Sequence, residues 1–166
     1  MSSTKLVFSL QDLHHGWWQA VLSDDTQQVT ITASSIPEEP LLPLLWAVRL
    51  LLLGAEESTC IWWEEPGQYH WLFSRTEKQL QIHIVWFDDR RGFSEYKGKT
   101  IVRSEKKGKT VLRMECDLLV FAKRLAHQLS QLEYQEGKPP VPQEEYQKLK
   151  DAITVFEHAE PGKQTE

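Results

Sequence analysis

Large apolar residues alternate with polar ones through the first third of the chain: Leu6, Phe8 and Leu10, then Trp18, Ala20 and Leu22, then Val29 and Ile31. A period of two places each set on one face of a strand, so three strands are predicted, the last two joined by a tight turn at Asp24-Asp25. Pro37, Pro40 and Pro43 then mark a loop running into the first turn of a helix. Positions 44–53 are apolar on nearly every side, which predicts a buried rather than an amphipathic helix, with Gly54 as its stop. Strand-like runs return at 59–65, 68–75 and 79–88. After a polar loop from Asp89 to Lys97, KTIVRSE, KKG and KTVLRME predict two strands about a glycine-containing turn. Asp117 is placed to cap a helix reaching about Glu133, with Leu118, Phe121, Ala122, Leu125, Leu129 and Leu132 at helical spacing. KPPVP interrupts the chain, and a last helix from about Pro142 turns Tyr146, Leu149, Ile153 and Phe156 inward.

Strands in succession, with helices grouped between and after them, predict an α+β fold. It is a single domain over 1–158, a mostly antiparallel sheet of about 7–8 strands with about three helices packed against it, followed by a flexible tail over 159–166. The strands follow one another too closely for helical crossovers, which excludes a βαβ arrangement. With Pro66-Gly67 as one turn centre, Trp62 faces Trp71 and Glu64 faces Tyr69; with Glu77-Lys78 as the next, Tyr69 faces Trp86 and Trp71 faces Ile84. Both registers gather Cys60, Trp62, Tyr69, Trp71, Phe73, Leu80, Ile82, Ile84 and Trp86 on one core face. The opposite face carries Ile61, Trp63, His70, Leu72, His83, Val85 and Phe87, which is too apolar for plain solvent. Either another element covers it or it is an interaction surface, and cover is the commoner fate of such a face.

Composition narrows the class without naming an activity. The chain has 166 residues, 40% hydrophobic and 26% charged, an ordinary globular balance. It is rich in tryptophan, with seven. Two cysteines, Cys60 and Cys116, lack CxxC spacing and suit a reducing, cytoplasmic setting. The apolar run around Leu41 to Gly54 is too short to span a bilayer, and Pro43 and Arg49 interrupt it, so no membrane association is expected. Net charge is −5, unevenly spread: seven basic residues and one acid over 97–113 give +6, leaving −11 elsewhere.

Candidate chemistry is sparse. Glu64, Glu65, Asp88 and Asp89 gather at one end of the central strands, where carboxylates act as an acid–base pair or hold a divalent cation. Solvation, or pairing with Arg90 and Arg91, is the commoner fate of acids beside a turn, and no metal-ligand motif accompanies these. His14-His15 point to opposite faces if on a strand, and His70 and His83 lie diagonally without a third ligand, so no metal site is expected. No GxSxG or phosphate loop is present, and GKT at 98–100 and 108–110 lacks the upstream glycine. The basic segment, with Arg103, Lys106, Lys107 and Lys109, reads first as a solvated edge, then as a surface for an acidic protein partner, and last as a nucleic-acid contact. The expectation is a small non-catalytic binding or interaction module of regulatory or immunity-like type, without cofactor. Its partner, a protein, would dock on Trp63, His70, His83 and Phe87 or on the basic segment. The competing expectation is a metal-assisted hydrolase or other enzyme using the acidic cluster.

Overall fold

The structure is a computed structural model, and it describes residues 5–36, 38–88, 93–96, 99–102, 108–133 and 137–159. Strands β1 (Val7–His14), β2 (Trp17–Ser23) and β3 (Gln28–Ser34) form an antiparallel sheet in that order. The predicted alternation holds: Phe8, Leu10, Trp18, Ala20, Leu22 and Ile31 are buried on one face. Asp24 makes the β2–β3 turn, its carboxylate accepting from the N–H groups of Thr26 (2.7 Å) and Gln27 (3.0 Å), as short polar side chains do in turns. The tandem histidines form the β1–β2 connection with Gly16, all three at positive φ (68°, 54° and 80°).

Helix α1 (Leu41–Leu52) separates this sheet from the second. Just before the helix, burial raises the pKa of Glu39. The second sheet has order β4-β5-β6-β9, from β4 (Glu57–Trp63), β5 (Gln68–Thr76), β6 (Gln79–Phe87) and β9 (Lys109–Asp117), all antiparallel. Between β6 and β9, the short strands β7 (Phe93–Tyr96) and β8 (Lys99–Val102) pair with each other. Helices α2 (Leu118–Gln131) and α3 (Gln143–His158) follow. Among the described residues, antiparallel sheets of three and four strands, the β7–β8 pair and three helices make this an α+β protein.

Two expectations of pairing need correction. KTIV and KTVLRME do not pair with each other: β8 pairs with β7, and β9 crosses back to β6. In the β4–β5 hairpin Trp62 faces Tyr69 and Cys60 faces Trp71, two residues away from the predicted register. The turn centres on Glu65-Pro66, whose peptide bond is cis, and the Glu64 N–H donates to the Gly67 carbonyl at 2.9 Å. Cis-proline sits at the third position of a four-residue turn, which moves the centre one residue towards the N-terminus of Pro66-Gly67. A two-residue slip keeps every side chain on its face, so the predicted core face survives. The β5–β6 register is the predicted one, with Tyr69 opposite Trp86 and Trp71 opposite Ile84.

One core joins both sheets to the helices. Asp117 caps α2, accepting from the Val120 N–H at 2.9 Å, and α2 turns Phe121 inward. That ring lies 5.1 Å from Phe8 in the first sheet and 6.1 Å from Phe73 in the second. Side-chain carboxamides occupy both outer edges. Gln128 of α2 accepts from the Leu10 N–H of β1 (3.0 Å), and Gln27 donates to the Arg113 carbonyl of β9 (2.6 Å). Helix α1 is not buried all round as predicted: Leu44, Leu45, Val48 and Leu51 are buried, but Trp46, Leu50 and Leu53 are 41%, 51% and 64% exposed. The sheet and α3 cover only part of its circumference. From α3, Glu145 accepts from the Trp46 indole N–H (2.8 Å) and pairs with Arg49 (3.0 Å). Arg75 at the end of β5 donates to the Leu51 carbonyl of α1 and to Glu77 (2.7 Å), with its guanidinium 5.2 Å from the Phe156 ring of α3.

Candidate functional site

The outer face of the second sheet resolves into four cross-strand rows. Trp63, Gln68 and Phe87 form the row nearest the β4–β5 turn; Ile61, His70, Val85 and Thr110 form the next. Then come Thr59, Leu72, His83 and Arg113, and last Glu57, Ser74, Gln81 and Glu115. An extra residue, Val111, bulges β9 between the second and third rows.

The first two rows are largely closed. Gln68 and Val85 are buried, Trp63 and Phe87 are half-buried, and His70 is only 3% exposed. The His70 imidazole packs edge-on against the Phe87 ring at 4.9 Å, and burial pushes its pKa down to about 4. Part of the cover is the backbone of Gly108, which lies so close that a Cβ there would stand 2.2 Å from Val85 Cγ1 and 2.7 Å from the Phe87 ring. Any residue with a side chain would push this cover off the sheet.

The last two rows are open. They line a trough of about 600 Å³ whose floor is Leu72, Ser74, Gln81 and His83, with Glu57 and Thr59 on the β4 side and Arg113 and Glu115 on the β9 side. Leu72 and His83 are half-buried, while Glu57, Thr59, Gln81, Arg113 and Glu115 are exposed. His83 Nε2 lies 2.8 Å from Thr110 Oγ1, and burial together with the Arg113 charge lowers the His83 pKa.

At the turn end, Glu64 and Glu65 follow β4 and Asp88 follows β6. The Glu64 carboxylate accepts from Thr32 Oγ1 at 3.0 Å, while Glu65 and Asp88 are exposed. Burial, then Glu64, raises the Tyr69 pKa. Asp89, Arg103, Lys106, Lys107 and the tail from 160 onward lie outside the described residues; Lys109 is exposed at the start of β9, opposite Trp86. Among the described residues no three His, Cys, Asp or Glu side chains are grouped to hold a metal, and no helix is long and apolar enough to cross a membrane. Cys60 and Cys116 are buried free thiols; burial raises both pKa values, that of Cys116 to about 12, so neither supplies a thiolate at neutral pH.

Of the predicted surface residues that are described, His83 alone lines the open trough, while Trp63, His70 and Phe87 belong to the closed half. Sequence reasoning missed Glu57, Arg113 and Glu115. The alternation of Arg113 and Glu115 with Leu112, Met114 and Cys116 marks them as outward-facing, but their neighbours appear only once β9 is paired with β6. Comparisons of the chain with protein-family models, with curated proteins and with solved structures find no match.

Proposed function

We propose that this protein is a non-catalytic binding module whose protein partner seats in the trough over β4, β5, β6 and β9. One observation carries the reading: the same sheet face is closed in its first two rows, except at Thr110 on the β9 edge, and open in its last two. A half-buried leucine lies in the open part between hydrogen-bonding and charged side chains. That mixture suits recognition, with an apolar floor for contact area and polar groups for orientation.

A photo-crosslinking amino acid at Thr59 tests it in cells. Expected is one discrete adduct, lost when Leu72→Arg fills the floor, while the melting temperature of that variant moves by only about 2 °C because the site faces outward. An adduct that persists in Leu72→Arg overturns the reading.

A further inference from the structure

The charges around the trough select the partner's chemistry. Glu57 on β4 and Glu115 on β9 end the same cross-strand row, separated only by the uncharged Ser74 and Gln81. Three strand spacings at ~4.8 Å put their backbones about 14 Å apart. An extended chain advances about 3.3 Å per residue, so side chains four residues apart span about 13 Å. Arg113 is the cation of the β9 side, one row from Glu115; no ion pair is formed among the described residues by Glu57, Arg113 or Glu115. The trough therefore carries a net −1 on a protein whose own net charge is −5, with the negative charges at both ends of one row.

We infer that the trough takes an extended peptide laid across the four strands, with two basic side chains four residues apart meeting Glu57 and Glu115; this rests on the trough being the binding site. The residues between them lie over Leu72, Ser74 and Gln81 and are small or apolar. Arg113 works against the basic residue bound at Glu115, so it limits affinity and disfavours a third cation on the β9 side.

Titration calorimetry on the full chain at low salt, with acetyl-KTLTK-amide and acetyl-ETLTE-amide as probes, tests this. Expected is binding of the basic peptide at least about tenfold tighter than of the acidic one, since like charges meet in the second case. Glu57→Gln and Glu115→Gln each weaken the basic peptide about threefold and together about tenfold, while Arg113→Gln tightens it about threefold, the range for exposed charge pairs. Equal binding of the two peptides, or basic-peptide binding that ignores both glutamates, overturns the inference. If the basic peptide fails to bind while the Thr59 adduct remains sensitive to Leu72→Arg, the partner's chemistry is wrong and the site stands. If the adduct is also insensitive, both readings fall.

Discussion

The two halves of the second sheet's outer face share the same four strands and the same antiparallel pairing, yet one is closed and the other open. The closed half carries Trp63, His70, Val85 and Phe87; the open half carries Thr59, Ser74, Gln81 and the charged ends Glu57 and Glu115. Backbone hydrogen bonding therefore does not decide which part of a sheet face is solvated. Side chains do, together with single points of backbone approach such as Gly108. The face changes character within two residues along each strand, at the bulge on β9.

The largest test of this contrast is acid. A histidine in the unfolded chain titrates near 6.5, whereas folded His70 stays neutral down to about pH 4. Between those values the unfolded chain binds the extra proton, so stability is full above about pH 7 and falls as pH drops towards 4. The loss attributable to His70 reaches about 3 kcal/mol at 1.36 kcal/mol per pH unit. In urea unfolding, the stability of the protein relative to that of His70→Leu should fall by about 3 kcal/mol from pH 7 to pH 4, because the leucine variant escapes this loss. Parallel curves would mean that the imidazole is not buried. Next in size is Gly108→Ala, expected to cost about 2 kcal/mol in urea unfolding by overpacking against Val85 and Phe87. A neutral result would remove Gly108 from the cover. Smallest are Thr59→Ala and Ser74→Ala, which should shift stability by less than about 0.5 kcal/mol because the side chains face an open trough. A cost above about 1 kcal/mol at either would show that this half is closed as well.

Much of this contrast was hidden in the chain for identifiable reasons. The period-two pattern located the strands of both sheets, and the β5–β6 register followed from a two-residue turn at Glu77-Lys78, where Glu77 has φ of 54°. The β4–β5 turn misled by one position because Pro66 enters as the third turn residue rather than the second, but period two protected the face assignments. The pairing of β9 with β6 spans about two dozen residues, and nothing local in KTVLRME says which strand it joins. That single long-range step decides the neighbours of His83 and hence the trough. For α1, the apolar run announced residues able to be buried, not how many neighbours the fold would supply for Trp46, Leu50 and Leu53.

Arg75 has a wider reach than its place at a strand end suggests. Its guanidinium joins the β5–β6 hairpin to the last turn of α1 and to an aromatic ring near the end of α3. Three elements far apart in sequence thus share one side chain at their termini, the places where secondary structure normally frays first. In native-state hydrogen exchange the end of α1, the end of α3 and the hairpin tip should open as one cooperative unit. Arg75→Ala should uncouple them, letting each end exchange by itself.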